Sequence, residues 1–187
     1  MIEREQYTPG PANGARVQKS QGPKGEEKWT LVLVRELRHS PEKVWQALTD
    51  PAHLREWAPF VTDGSLSAIG TVNLTWVGKP TPIETRVTRA EAAKTLEYGD
   101  MRWELEASGS GTRLTLWHSI DHRFISWGAA GWHICFDVLD RFLAGKPIGA
   151  IAGADAMKFA GWKQLVGEYS KQFDAEAPDW TPNAAKR

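Results

Sequence analysis

Trp29-Thr30-Leu31-Val32-Leu33-Val34-Arg35-Glu36-Leu37 runs into Arg38-His39-Ser40-Pro41-Glu42-Lys43-Val44-Trp45-Gln46-Ala47-Leu48-Thr49-Asp50-Pro51, and this stretch decides the fold. Its first part is β-branched and apolar, as a strand requires. At Ser40 the chemistry changes. Serine is a favoured helix N-cap, proline is pre-set for the first helical position, and Glu42 suits the positive end of the helix dipole. Val44, Trp45 and Leu48 then supply the apolar stripe of a short helix. Thr49-Asp50-Pro51 repeats the start signal, so a second short helix carries Leu54 and Trp57. Arg35 and Glu36 interrupt the strand, and the pattern leaves open which of them turns inward.

Beyond this stretch, over residues 61–120, the period changes to two. Val72, Leu74 and Trp76 alternate with Asn73 and Thr75, and Ile83 and Val87 with Glu84, Arg86 and Thr88. Leu96 and Tyr98 follow, then Met101, Trp103 and Leu105, and then Leu114, Leu116 and His118. Short segments joined by turns such as Ser108-Gly109-Ser110-Gly111 predict antiparallel hairpins with one apolar face. At a helical step, residues 131–144 place Trp132, Cys135, Phe136, Leu139, Phe142 and Leu143 on one arc. His133, Asp137, Asp140 and Arg141 fall opposite, where His133 and Asp137 read as a surface pair. A last helix is expected from near Asp155, with Phe159, Trp162, Leu165, Val166, Tyr169 and Phe173 on its buried face.

This order of elements resembles the helix-grip fold of the START-like, or SRPBCC, superfamily, which includes the Bet v 1-like proteins. Residues 35–57 are similar to the opening signature of one subgroup, the homologues of the activator of the heat-shock protein ninety ATPase. Further matches are Leu96-Glu97-Tyr98, Arg102-Trp103-Glu104-Leu105, Gly111-Thr112-Arg113-Leu114-Thr115-Leu116-Trp117-His118, and Gly131-Trp132-His133-Ile134-Cys135 into Asp137-Val138-Leu139. The resemblance covers about residues 29–173. It implies an α+β fold, a curved antiparallel β-sheet wrapped around a long C-terminal helix, with two short helices after the first strand. It also implies an apolar cavity between sheet and helix, which in this superfamily holds lipids, polyketides, hormones or other small hydrophobic molecules. Some members are aromatase/cyclases. Co-chaperone activity belongs to longer proteins with an additional N-terminal domain.

Composition narrows the function classes. The 187 residues carry 23 basic and 23 acidic side chains, one cysteine and ten tryptophans. A single cysteine excludes an internal disulfide and a zinc-finger ligand set. Zero net charge gives no reason to propose nucleic acid or an anionic membrane as partner. No apolar run approaches the roughly 18 residues of a membrane span, and the N-terminus lacks a secretory pattern, so a cytoplasmic protein is expected. Residues 1–27 are rich in Gly, Pro and polar side chains and read as a flexible tail. Residues 28–174 form the domain, and 175–187 a second tail in which Trp180 is the residue able to dock.

On this alternation Trp76, Tyr98, Trp103, Leu105, Leu116, His118, Trp132 and Phe136 share one interior, as packed core or as the lining of a ligand cavity. His118 is unusual among them, because a histidine in an apolar cavity can act as general base or orient a ligand carbonyl. His118 and His122 match metal-ligand spacing only on a helix, whereas here a strand ends, so no metal is proposed. No cofactor pattern is present, because no Gly-rich turn links a strand to a helix at the needed spacing. Cys135 reads as an inert buried thiol, and no catalytic residue can be singled out. The leading reading is a binder of a small hydrophobic or aromatic molecule. The alternatives are a cyclase- or hydrolase-like enzyme using the same cavity through His118, and an interaction protein of co-chaperone type with a chaperone as partner. Monomer and homodimer remain equally open.

Overall fold

The two short helices begin where their caps set them. The computed structural model describes residues 4–176, so the expectation for Trp180 lies outside the described residues. In α1 (Pro41–Thr49) the Ser40 hydroxyl accepts the Lys43 N–H at 3.4 Å. In α2 (Pro51–Trp57) the Asp50 carboxylate accepts the Ala52 and His53 N–H groups at 2.7 and 3.4 Å. Each carboxylate or hydroxyl satisfies helix-end donors that would otherwise lack a partner.

The strands are β1 (Ala15–Gln21), β2 (Glu27–Leu37), β3 (Phe60–Thr62), β4 (Gly70–Trp76), β5 (Ile83–Glu91), β6 (Thr95–Tyr98), β7 (Met101–Ser108) and β8 (Gly111–Ser119). They form one antiparallel sheet in the order β1-β2-β8-β7-β6-β5-β4-β3. The alternation settles the faces. Leu114, Leu116 and His118 of β8 turn inward, while Trp117 lies outside under the Arg102 guanidinium, 4.9 Å from its ring. On β2, Arg35 turns inward and Glu36 outward, where it accepts from Arg113 at 2.6 Å.

Helix α3 (Ile125–Leu143) lies across the inner face, completing the helix-grip architecture. It begins at Ile125 rather than at 131. Asp121 accepts the Arg123 N–H at 3.0 Å and caps a 3-10 turn, His122–Phe124, that feeds directly into the helix. Gly128 and Gly131, which lower helix propensity, are carried within it. The last helix, α4 (Trp162–Phe173), starts later than expected. Residues Gly153–Lys158 form a separate 3-10 turn, and Gly161, at φ 88°, breaks the chain in a conformation that favours glycine. The apolar spacing had run straight across that break.

Two expectations are corrected. Residues 4–21 are not a free tail: after a 3-10 turn (Arg4–Gln6) the chain crosses α3, buries Tyr7, and pairs as β1 along the whole length of Ala15–Gln21 with β2. Backbone pairing to an open sheet edge, joined by Gly14 O accepting Val34 N–H at 2.7 Å, needs little apolar side-chain content. Nor are His133 and Asp137 a surface pair. The Asp137 carboxylate accepts from Arg35 at 2.9 Å and from the Tyr7 hydroxyl at 2.6 Å, and faces His133 Nε2 at 3.6 Å. His133 Nδ1 shares a 2.8 Å hydrogen bond with the Tyr169 hydroxyl of α4, which in turn bonds Asn13 O at 3.0 Å. His133 is only 1% exposed. Burial pushes its pKa below the ordinary histidine range, with Asp137 opposing that shift. The His133–Asp137 part of the polar stripe of α3 is therefore roofed by the N-terminal strap and α4, while Asp140 stays exposed.

The strap should carry stability. Tyr7→Phe removes one hydrogen bond to a charged acceptor and is expected to cost about 1.5–3 kcal/mol. At roughly 2–4 °C per kcal/mol for a chain of this size, thermal denaturation should show a fall of about 3–12 °C. Deleting residues 1–21 should cost more. An unchanged midpoint in both variants would return the segment to the status of a dispensable tail.

Candidate functional site

The enclosure of α3 is incomplete along its N-terminal half. There an open cleft of about 620 Å³ lies between the ends of β4 and β8, the helix, and the segment that returns after it. Trp76, with Pro59 and Lys79, forms one side, and His118, Ser119, Ile120 and Asp121 form the floor and rim. Helix α3 and its lead-in contribute Phe124, Trp127, Gly128, Gly131, Trp132 and Cys135. Ala152, Gly153, Ala156, Met157 and Trp162 close the far side.

The glycines help to explain why there is space. A Cβ at Gly128 would lie 2.6 Å from Ile120 Cδ1, so this glycine lets the β8 exit pack against the helix. A Cβ at Gly131 would meet nothing within 4 Å. One turn of α3 thus presents bare backbone to the cleft while Trp127 and Trp132 flank it.

His118 is fixed from three sides. The indole N–H of Trp132 donates to His118 Nδ1 at 2.9 Å, so the neutral ring carries its proton on Nε2. Nε2 faces the Asp100 carboxylate at 3.7 Å. The Trp76 ring stacks parallel to the imidazole, with centroids 6.2 Å apart, and Trp132 meets it edge-on at 5.8 Å. Burial holds the His118 pKa below the ordinary value, against the opposing pull of Asp100. Burial also pushes the Cys135 thiol up to about 12, which keeps it protonated and unreactive at neutral pH.

The residues expected to share one interior divide into two groups. Trp76, His118 and Trp132 line the cleft. Tyr98, Trp103, Leu105, Leu116 and Phe136 are buried in the core beside it. Trp103 packs on Trp132 at 5.4 Å, on Phe136 at 6.0 Å and on Trp57 at 6.1 Å, and its N–H donates to the Tyr98 hydroxyl at 3.1 Å. This second group supports the cleft walls without lining them.

Sequence reasoning missed Lys79, Phe124, Trp127, Met157 and Trp162. Trp127 precedes Gly131 by one helical turn and would have been found had the helix been extended to Ile125. Trp162 was hidden by the assumption of an unbroken last helix. Among the described residues no group of three or more His, Cys, Asp or Glu side chains is placed to hold a metal ion, and no helix is long and apolar enough to cross a membrane.

Known structures share this architecture. The crystal structure of CalU16 from Micromonospora echinospora aligns at a TM-score of 0.61 and 19% identity, over 86% of this chain and 94% of that one. EF2215 from Enterococcus faecalis, a conserved protein of unknown function, aligns at 0.59 and 18%, over 84% and 90%. MLL2253 from Mesorhizobium loti aligns at 0.55 and 24%, over 62% and 97%. At such identities the likeness bears on the fold alone. No curated protein matches the chain. Residues 38–144, more than half of the 187, match the family described as Activator of Hsp90 ATPase homolog 1-like protein, and the chain belongs to that family.

Proposed function

We propose that the protein binds a small hydrophobic or aromatic molecule in the cleft beside α3. The observation that carries this reading is an open, mostly apolar cavity that carries four tryptophans, Trp76, Trp127, Trp132 and Trp162, with few polar side chains among its lining. Its volume of about 620 Å³ falls within the range of roughly 300–1,000 Å³ usual for small-molecule sites. The enzyme reading draws less support. A general base needs a lone pair free to reach substrate, and His118 Nδ1 already accepts from Trp132. In this role His118 orients Trp132 and Trp76 and so shapes the pocket wall. The chaperone-partner reading draws no comparable support from the cleft.

Gly131 offers the most direct test. Its backbone is helical and its Cβ direction is open, so Gly131→Ala is expected to raise stability by up to about 1 kcal/mol through helix propensity. Gly131→Phe should fill the cleft and abolish the saturable quenching of tryptophan emission by an apolar ligand, while circular dichroism stays native. Binding that survives Gly131→Phe intact would show that the ligand sits elsewhere. Absence of any saturable response in the parent protein would sink the binding reading.

Acid should weaken both fold and site. His118 and His133 have depressed pKa values in the folded protein, so the unfolded chain takes up protons first as pH falls through about 6.5. Unfolding is then favoured, and the contribution that is fully present above about pH 7 declines until the folded values are reached. The thermal midpoint should therefore drop between about pH 7 and pH 5. In His118→Gln the drop should be shallower, with the remainder assigned to His133. An identical slope in parent and variant would remove His118 from the titration.

A further inference from the structure

The lining of the cleft is so largely apolar that its few polar groups decide what one end of the ligand must be. The argument rests on the ligand-binding reading above and asks which of those groups remain free. Asp121 is the one carboxylate on the lining. It accepts from the Arg123 backbone at 3.0 Å and from its guanidinium at 3.1, 3.2 and 2.6 Å, and these bonds hold its pKa down at about 2. His118 has one nitrogen bonded to Trp132 and the other turned to Asp100. The Trp132 N–H is engaged by the same bond.

What remains is almost all donor. Among the described residues, Lys79 makes no ion pair, and the indole N–H groups of Trp76 and Trp162 have no hydrogen-bond partner. An ammonium and an indole N–H donate and cannot accept. Among the unengaged side-chain oxygens and nitrogens on the lining, only the Ser119 hydroxyl can do either. Asp100, on the far side of His118 and 61% exposed, is the opposing charge, and it is turned to the imidazole. A ligand that offered donors or a cation would find no free carboxylate on the lining. A ligand that offered only acceptors would meet Lys79.

We propose that the ligand of this cleft is an apolar ring system carrying a carboxylate, with the rings between Trp76, Trp132 and Trp162 and the carboxylate at Lys79. Lys79 is then the residue that sets specificity for an acid over its neutral or basic analogue.

The test is a matched series in which only the head group changes: 1-naphthylacetate, 1-naphthylacetamide and 1-naphthylmethylamine, titrated calorimetrically against the full chain. The acid should bind about fivefold tighter than the amide, the scale of one partly exposed ion pair, with the amine weakest. Lys79 is exposed in the turn after β4, so its replacement leaves the core intact. Lys79→Gln should bring the acid to the affinity of the amide while leaving the amide within about twofold, and Lys79→Glu should reverse the order. Added salt should weaken the acid and spare the amide. Equal binding of acid and amide by the parent protein overturns the assignment of the head group while leaving the cleft as a ligand site. A uniform loss across all three ligands in Lys79→Gln also overturns it, because Lys79 would then act through packing and not through charge. If none of the three binds, the cleft reading falls, and the carboxylate assignment falls with it.

Discussion

The carboxylate of Asp137 is the point at which the separate parts of the molecule meet. It receives Arg35 from the sheet and Tyr7 from the N-terminal strap, and it faces His133 one turn earlier on its own helix. Through His133 it is linked to Tyr169 of α4, and through Tyr169 back to the strap at Asn13. Partial burial removes much of the hydration of such an ion pair, so removing either partner would leave a poorly solvated charge, at a cost on the order of 3–5 kcal/mol. A purely apolar contact could slide, whereas the directional bonds of Arg35, Tyr7 and Tyr169 to this helix favour one arrangement, even with Arg35 Nε left buried without a partner. The network therefore fixes the rotation of α3 about its axis, and with it which side chains of the helix face the sheet and which face the cleft.

That rotation has a consequence at the other side of the helix. With His133 and Asp137 held under the strap, Trp132 and Phe136 are directed to the sheet, Gly128 to the β8 exit and Gly131 to open space at the cleft. Trp132 then lies within hydrogen-bond distance of His118, at 2.9 Å, and Trp76 stacks on the imidazole it fixes. The cleft is thus bounded by residues whose positions are coupled to a polar cluster on another face of the same helix. Its volume arises where Gly131 leaves the helix bare and the return segment forms the far side.

Much of this was legible in the sequence, for physical reasons that can be named. Ser40-Pro41 and Asp50-Pro51 carry capping chemistry that acts over two or three residues, so both short helices could be placed from local sequence. The inward side of β4, β7 and β8 followed from a period of two, which a half-covered sheet imposes residue by residue. Other features depended on partners distant in the chain. A helical wheel marks His133 and Asp137 as polar and does not say that Arg35, Tyr7 and Tyr169 will come to meet them. The strap evaded composition because its attachment is mainly backbone pairing plus one tyrosine. The division of the aromatic residues was equally hidden, since alternation assigns Trp76, Trp103 and His118 to the same face and is silent on how far along that face the cover extends.

The family relationship divides the cleft unevenly. Trp76, His118, Trp127 and Trp132 lie within the matched residues 38–144, while Ala152, Gly153, Ala156, Met157 and Trp162 lie beyond them. The return segment is in turn held by the strap, which also lies outside the match. Arg4 donates to Ala150 O at 2.7 Å and pairs with Asp155 at 3.4 Å, and the Tyr7 ring meets Phe159 at 5.8 Å. One wall of the site thus lies within the matched residues, and the other lies outside them in segments braced against each other. Met157 and Trp162, on the outer wall, therefore take their positions from the strap contacts and not from the sheet that carries Trp76 and His118.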